Sequence, residues 1–428
     1  MSADLLELPL VFSTPPPRSF HATLADELIA FREFNTATRR LLTTSKTFAG
    51  APIEVPTFVN EFWTARQRQA NNLHEISYRA CFKPQLPRFF IERLTGPGDR
   101  VYDPFMGRGT TLIEAALLGR VPVGCDVNPL SVVLTAPRLN LPSLQQIEER
   151  LAQIDFAADD EHPEDLLVFY HPDTLDQIVS LRKYLRCRRE SGARDAVDDW
   201  ITLVALNRLT GHSPGFFSVY TLPPNQAVSV KSQLKINQRR QQTPPRRDVP
   251  GIILKKSRGL MKDLDPASHL ALREAGRQAV LLTQSSTDTP QIPNNSIALA
   301  VTSPPFLDVV QYDADNWLRC WFLGFDSKSF KISMPKKLED WQHVMTAVFK
   351  ELQRVLKPGG HVAFEVGEVH RGKTRLEEAV LPCGLDAGLH PLLVLINDQQ
   401  FTKTANCWGV DNMSKGTNTN RIVVFRKG

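Results

Sequence analysis

At 428 residues, with 42% hydrophobic and 23% charged residues, the chain has the composition of an ordinary soluble globular protein of two or three domains. Its net charge of +5 permits a nucleic-acid partner without requiring one. The six cysteines contain no C-x-x-C pair, so neither a zinc finger nor a redox motif of that kind is indicated. The sequence has no run of about 18 apolar residues, so no membrane span is predicted.

The N-terminal region carries no clear functional pattern. Residues 1–58 form an extension of unknown role, an arm or a small helical piece. The start lacks a basic segment and a long apolar run, which predicts no signal peptide, and the scattered cysteines favour a reduced, cytoplasmic setting. A helical pattern follows in residues 82–94, where Leu86, Phe89 and Phe90 share one side.

Residues 96–131 have the pattern of a strand–loop–helix–strand unit, which implies a parallel sheet with helices packed on it. The first strand contains residues 101–102, and the helix spans residues 111–118. The second strand spans residues 121–125 and ends at Asp126.

The loop "DPFMGRGTT" within this unit has the features of a ligand site. Gly107 and Gly109 allow close backbone approach, and the following helix offers free N–H groups. Asp126 lies where a carboxylate can bind ribose hydroxyls. Leu112 replaces the third glycine of G-x-G-x-x-G and Asp103 adds a negative charge, so the cationic S-adenosylmethionine is favoured over NAD. A plain tight turn is the alternative for this loop alone.

Between residues 137 and 280 the strand–helix alternation is lost, which predicts a long insertion. The stretch 228–262 has ten Lys or Arg residues and one acid, Asp248, a composition that suits phosphate contacts. A solvated surface loop is the alternative. The candidates for DNA contact are Arg239, Arg240, Arg246 and Arg247, and arginine can also read guanine edges.

Alternation resumes after residue 280, and the stretch "SIALAVTSPPF" ends a buried strand in S-P-P-F. The Ser303 hydroxyl and the Pro304 carbonyl can accept hydrogen bonds from the exocyclic amine of a nucleobase, while Pro304 and Pro305 stiffen the loop. Phe306 offers a face for base stacking, worth about 1–3 kcal/mol. The base must first leave the duplex. Simple termination of a strand by proline is the alternative.

The remaining pattern completes an α/β sheet. It predicts a helix over residues 344–356, a Lys-Pro-Gly-Gly turn, a strand over residues 361–366 and a final strand within residues 419–428.

The glycine loop and S-P-P-F together resemble the DNA amino-methyltransferases, specifically the N4-cytosine branch. That branch typically carries S-P-P-Y or S-P-P-F, whereas adenine-N6 enzymes usually carry D-P-P-Y or N-P-P-Y. The likeness covers residues 62–136 and 281–428. It implies a Rossmann-like methyltransferase sheet with helices on both faces, interrupted by a long insertion. The implied domains are the extension 1–58, a first catalytic half 59–136, an inserted target-recognition region 137–280 and a second catalytic half 281–428.

The resemblance also implies roles for individual residues. Residues expected to bind S-adenosylmethionine are Phe82, Lys83, Asp103, Phe105, Gly107, Gly109, Thr110 and Asp126. The expected catalytic loop comprises Ser303, Pro304, Pro305 and Phe306. Neither a metal nor a cysteine nucleophile is required. One departure concerns the adenine contact, where the family often has an acid and this chain offers Ser285 or Ser286, with Asp288 further on.

The sequence therefore predicts a site-specific methyltransferase acting on cytosine N4 in double-stranded DNA with base flipping, of the restriction-modification type. A cognate restriction endonuclease is an expected functional partner. Adenine-N6 methylation is the first alternative and methylation of an RNA amino group the next. A DNA-binding module with an inactive cofactor site is the alternative from another class. A dehydrogenase is disfavoured because the loop lacks the third glycine.

Overall fold

The protein was analysed as a computed structural model, which describes most of the chain. The described residues are 23–64, 70–78, 81–157, 162–221, 227–305, 312–326, 335, 337–366, 368–369, 374–399 and 419–428.

A nine-stranded sheet forms the centre of the fold, in the order β1-β2-β10-β11-β7-β6-β3-β4-β5. A separate small hairpin contains β8 and β9. The strands are β1 (Arg39–Lys46), β2 (Pro52–Asn60), β3 (Arg100–Asp103), β4 (Val121–Asp126), β5 (Val280–Thr283), β6 (Ile297–Thr302), β7 (Leu356–Val366), β8 (Glu368–Val369), β9 (Thr374–Arg375), β10 (His390–Asp398) and β11 (Thr419–Arg426).

Seven of the nine strands run in one direction, and β1 and β11 run in the other. The chain passes from β3 to β4 and β5 on one side, and β6 and β7 lie on the other side of β3. The strand order therefore changes direction between β3 and β6, where open α/β sheets bind ligands at the carboxyl ends of their strands. This arrangement confirms the predicted Rossmann-like α/β sheet.

Helices cover both faces of the sheet, because its buried strands carry apolar side chains alternately on each face. In β3, Val101 packs with Phe90 on one face, whereas Tyr102 joins Phe349 on the other. The helices are α1 (Leu24–Ala30), α2 (Gln85–Leu94), α3 (Thr110–Leu117), α4 (Leu130–Thr135), α5 (Leu144–Ala152), α6 (Pro172–Glu190), α7 (Ala196–Arg208), α8 (Val230–Arg240), α9 (Val249–Met261), α10 (Pro266–Gln278), α11 (Tyr312–Leu323), α12 (Leu338–Val355) and α13 (Leu376–Asp386).

The region between β4 and β5 is helical and has a core of its own. Trp200 of α7 is fully buried there and donates from Nε1 to Ser257 Oγ at 2.9 Å. Leu318 and Phe322 of α11 belong to the same core, while α10 packs on α3 and β4. None of the helices in the described stretches has the length and apolar character needed to cross a bilayer.

The hairpin of β1 and β2 was not predicted from the sequence. Pro52 and Pro56 interrupt the strand pattern, and proline removes a backbone donor that a central strand needs. Pro56 nevertheless pairs with Leu42 of β1, and β2 pairs with β10 only from Thr57 onward. Residues 39–46 and 52–58 of the extension assigned no role are thus part of the sheet.

Candidate active site

The two sequence motifs lie side by side at the carboxyl ends of neighbouring strands. Asp103 ends β3, Asp126 ends β4 and Thr302 ends β6, directly before Ser303. Because β4, β3 and β6 are adjacent, these groups share the switch point of the sheet.

The glycine loop depends on two left-handed backbone positions. Gly107 has φ of +49° and Gly109 has φ of +75°, values that L-residues with side chains rarely adopt. A Cβ on Gly109 would lie 2.6 Å from Thr135 Cγ2, so α4 leaves no space for a side chain there. Thr110 follows as the buried first residue of α3, and its Oγ1 accepts from Arg108 Nε at 3.2 Å.

Asp126 connects the loop to the next strand. Its Oδ2 accepts from the Gly107 N–H at 2.9 Å, and its Oδ1 accepts from the Asn128 N–H at 2.8 Å. Burial raises the pKa of the carboxyl, while these two bonds oppose that rise. The Asp126 carboxylate therefore binds the backbone of the glycine loop.

Asp103 is the more deeply buried acid, with 2% of its surface exposed. Its Oδ1 accepts from Thr302 Oγ1 at 2.6 Å and from the Phe105 N–H at 3.1 Å. Burial raises the pKa of this carboxyl to about 7. Asp103 thus joins the glycine loop to the end of β6, directly before Ser303. Thr302 is a site residue that the sequence reasoning missed.

Ser303 lies beside a second missed residue, the buried acid Glu365 near the end of β7. The Ser303 hydroxyl is hydrogen bonded to Glu365, and Asn420 Nδ2 of β11 donates to Glu365 Oε1 at 2.6 Å. Burial raises the pKa of Glu365, and both hydrogen bonds oppose that rise. An acid within the apolar pattern "HVAFEV" was the signal available in the sequence.

The prolines after Ser303 lie at the strand end, with Pro304 buried. The Pro305 carbonyl accepts from Trp341 Nε1 of α12 at 3.2 Å. This bond fixes the loop to α12. Phe306, the proposed stacking residue, lies outside the described residues.

Phe82 and Lys83 approach the site from the segment before α2. Phe82 is half-buried and packs against the apolar cluster of α2. Lys83 is exposed, and desolvation, followed by the nearby charge of Arg108, lowers its pKa. The place of Lys83 in the cofactor pocket stays a prediction.

The four arginines proposed for DNA contact are not equivalent. Arg239 is exposed at the end of α8, and Arg240 lies 3.8 Å from the Tyr220 ring centroid. Arg246 forms an ion pair with Asp173 at 3.1 Å. Arg247 is half-buried and uses its backbone N–H and carbonyl to bind Thr174. Of these four arginines, Arg239 is therefore the most accessible for contact with DNA.

Exposed cations also extend along α8. Lys231, Lys235 and Arg239 recur every four residues and are all exposed, so they occupy one side of the helix. The start of this helix lies near α11, since the Ala227 N–H donates to the Asp315 carbonyl at 3.2 Å and Trp317 Nε1 donates to the Val228 carbonyl at 3.2 Å. These cations are therefore on a helix whose start contacts α11.

His74 has a structural environment. It is buried, and its Nε2 pairs with Glu114 Oε1 at 2.6 Å, while Arg88 Nε donates to Glu114 Oε2 at 2.8 Å. Within the described residues, no group of three or more His, Cys, Asp or Glu side chains is arranged to hold a metal ion.

Comparison with known proteins gives a family match. Residues 27–134 match the model of a DNA methylase family that includes N6 and N4 methylases. The type II methyltransferase M.BsoBI of Geobacillus stearothermophilus is 22% identical over 365 residues, which are 73% of this chain and 67% of that protein. The type II methyltransferase M.MjaII of Methanocaldococcus jannaschii is 31% identical over 86 residues, which are 20% of this chain and only 16% of that protein.

Among solved structures, TrmN from Thermus thermophilus has 13% identity and a TM-score of 0.32, over 85% of this chain and 52% of that one. A similarity at this level does not bear on activity. The family match, together with the strand order of the sheet, implies S-adenosylmethionine as the cofactor. The family includes both amino-methylation branches, so the match leaves the target base open.

Proposed function

We propose that this chain, whose residues 27–134 match the DNA methylase family, transfers a methyl group from S-adenosylmethionine to cytosine N4 in double-stranded DNA. The observation that carries the proposal is the juxtaposition of the S-P-P segment with the glycine loop, through the 2.6 Å bond between Thr302 and Asp103. The target base is proposed to leave the duplex, because its amine is otherwise paired within the stack.

The residues around the glycine loop fit S-adenosylmethionine. When bound, it supplies an electrophilic methyl group on a positively charged sulfur. Asp103 supplies negative charge next to the loop, Asp126 supplies acceptors for ribose hydroxyls, and Gly107 and Gly109 keep the loop free of side chains. Phe82, Lys83, Phe105 and Thr110 are proposed to border the same pocket.

The bond between Ser303 and Glu365 supports a role in orienting the amine. An ionised carboxylate only accepts hydrogen bonds, so the Ser303 hydroxyl donates its hydrogen bond to Glu365. The oxygen lone pairs of Ser303 are then left to accept a hydrogen bond from an incoming N–H. The Pro305 carbonyl already accepts from Trp341, which leaves the Pro304 carbonyl as the proposed second acceptor. We assign Phe306 the role of stacking on the base.

Glu365 is also a suitable proton acceptor. The amine loses a proton when it gains a methyl group, and burial raises the pKa of Glu365 towards the range useful for accepting one. The Ser303 hydroxyl would relay that proton by giving its own to Glu365. These positions favour direct transfer, in which orientation supplies much of the rate.

The helical insertion is proposed to recognise DNA, with phosphate contacts from the exposed cations of α8. Lys231 and Lys235 join Arg239 in this role, while Arg240, Arg246 and Arg247 are retained as flanking contacts. A type II restriction-modification setting, with a cognate endonuclease, is part of the proposal because both relatives described above are named type II methyltransferases.

Adenine-N6 methylation is the second candidate, favoured by a family model that includes N6 enzymes. Serine at position 303 favours cytosine, since the resemblance associates Asp or Asn at that position with adenine. Identification of the methylated nucleoside distinguishes the two.

The experiment is nucleoside mass spectrometry after incubation of the protein with unmethylated DNA and labelled S-adenosylmethionine. We expect labelled N4-methylcytosine, which Ser303→Ala should abolish while cofactor binding persists. Labelled N6-methyladenine would overturn the assignment of the base. Cofactor binding without label in DNA or RNA would favour a DNA-binding module with an inactive site.

A further inference from the structure

Residues 71–78, here called the linking segment, lie against the glycine loop. Arg108, within that loop, donates from Nη1 to the carbonyls of His74 at 3.3 Å and Ile76 at 2.8 Å. The Tyr78 ring lies 3.6 Å from the position that a Cβ on Gly107 would occupy. The linking segment therefore supports the loop from outside the sheet.

The linking segment is also connected to Asp126, the acid proposed to bind ribose, by way of Asn128. Asn128 Nδ2 donates to the Tyr78 hydroxyl at 3.2 Å, and the Asn128 N–H donates to Asp126 at 2.8 Å. A displacement of Tyr78 would thus affect both the glycine loop and the surroundings of Asp126.

On its other side, the linking segment is bound by Arg319 of α11. Arg319 is 8% exposed and donates from Nη2 to the Ser77 carbonyl at 2.6 Å. Its Nη1 donates to Asn316 Oδ1 at 2.8 Å, and its Nε donates to the Leu206 carbonyl of α7 at 3.5 Å. A single buried guanidinium thus joins α11, α7 and the linking segment.

The position of α11 in the chain gives this connection its significance. The helix begins at Tyr312, six residues after Phe306, the last residue of the proposed catalytic loop. Its neighbour α8 carries the exposed cations proposed to contact DNA. A shift of α11 would be transmitted by Arg319 to Ser77, and from the adjacent Tyr78 to the glycine loop.

We infer that Arg319 is a positioning residue that makes cofactor affinity depend on the placement of α11, although it lies outside the cofactor pocket. The inference rests on the proposed function, because it requires the glycine loop to bind S-adenosylmethionine. By linkage, cofactor binding must stabilise α11 in return. Arg319 would thereby couple the cofactor site to the catalytic loop.

A buried arginine can also serve stability alone, so the test needs a matched control. Arg354 of α12 likewise donates to two backbone carbonyls, of Thr289 and Ile292, each at 2.9 Å. It lies just before β7, at the end of the strands opposite to the candidate site. Arg319→Lys and Arg354→Lys each keep the positive charge and lose the guanidinium geometry.

The first experiment is calorimetric titration of S-adenosylmethionine into the full chain without DNA, at a temperature where circular dichroism shows each variant to be folded. We expect Arg319→Lys to raise the Kd at least fivefold and Arg354→Lys to change it less than twofold. An unchanged Kd in Arg319→Lys, or an equal loss in both variants, would overturn the inference. A wild-type chain that fails to bind S-adenosylmethionine would overturn the proposed function as well.

The second experiment needs no variant and remains decisive if Arg319→Lys does not fold. Amide hydrogen exchange of the wild-type chain is compared with and without S-adenosylmethionine. Coupling predicts slower exchange in the linking segment and in α11, with β1, at the far edge of the sheet, unchanged as an internal reference. Protection confined to the glycine loop and the adjoining strand ends would contradict the coupling.

Discussion

Glu365 is the residue that most changes the chemistry expected of Ser303. Without an acceptor for its proton, a serine hydroxyl can present either a donor or an acceptor to an approaching amine. The buried carboxylate, fixed by the 2.6 Å bond from Asn420, removes that ambiguity. The pair is thus more specific for an amine than Ser303 alone.

Replacing Glu365 by Gln should lower the single-turnover methylation rate by about 10²- to 10⁴-fold, the range for loss of general acid–base assistance. The amide can donate to Ser303 and turn its hydroxyl proton towards the amine. The Kd for S-adenosylmethionine should stay within twofold. Glu351→Gln is the matched control, since Glu351 of α12 is another buried acid and accepts a hydrogen bond from the Thr289 N–H. A near-wild-type rate in Glu365→Gln would contradict the assigned role.

Asp103 should make cofactor affinity depend on pH. Burial raises its pKa to about 7, so the free protein binds a proton there below pH 7. A cationic ligand favours the ionised form, so binding below pH 7 releases that proton. Affinity should therefore fall by up to about tenfold per unit as pH decreases from 7 to 5. Asp126, whose pKa is also raised, adds to the same trend.

The measurement is calorimetry at pH 5, 6, 7 and 8 in two buffers with different ionisation enthalpies, which together report proton release. Asp103→Asn should flatten the profile and weaken binding at pH 8. A wild-type affinity that is constant from pH 5 to pH 8 would exclude this role for Asp103.

At the scale of single elements, the glycines at the two ends of α3 allow the cost of backbone strain to be separated from the cost of crowding. Gly109 and Gly119 have almost the same φ, +75° and +74°, but only Gly109 faces a neighbour, the Thr135 side chain. Gly119→Ala should cost about 1–2 kcal/mol in unfolding free energy from strain alone. Gly109→Ala should cost about 1–3 kcal/mol more, because of overpacking.

Urea unfolding of both glycine variants gives these free energies, and calorimetry gives their Kd for the cofactor. Only Gly109→Ala should weaken cofactor binding. Equal stability losses in the two variants would mean that α4 yields to the added methyl group.

The helix α8 should contribute to DNA affinity through its charge. Three of its exposed cations, Lys231, Lys235 and Arg239, lie on one side and would each release counterions on meeting a phosphate. Changing all three to Gln should reduce the slope of log K against log salt by up to about 2.7, or 0.9 for each contact. Fluorescence anisotropy with a labelled duplex at several salt concentrations measures this slope.

A charge-matched control for α8 is the replacement of Lys46, Lys350 and Arg375 by Gln. These exposed cations lie on β1, α12 and β9, away from α8. If both triple variants change the slope equally, binding depends on net charge and not on α8.

At the scale of the whole molecule, the sequence predicted what local pattern determines. The structure contains the predicted βα unit around Asp103 and Asp126, the buried strand before Ser303 and the final strand. Each is a continuous run of residues with turn residues at its ends. The fold class followed from this alternation and is confirmed by the strand order.

What the sequence did not predict depends on distant parts of the chain meeting. The contact between Thr302 and Asp103 joins residues 199 positions apart, and Asn420 reaches Glu365 from another strand. Pro56 concealed β2, which pairs with β10 only from Thr57 onward. Arg246, chosen for its charge, proved to be paired with Asp173. Such partnerships have no local signature.

The reversed strand β11 has a consequence for biosynthesis. It lies between β7 and β10, so those two strands have no bridge until residues 419–426 have left the ribosome. The same strand supplies Asn420, which holds Glu365 beside Ser303. A nascent chain can thus carry the complete glycine loop and the S-P-P segment and still lack the bond between Asn420 and Glu365, so the proposed reaction centre is assembled only after β11 has joined the sheet.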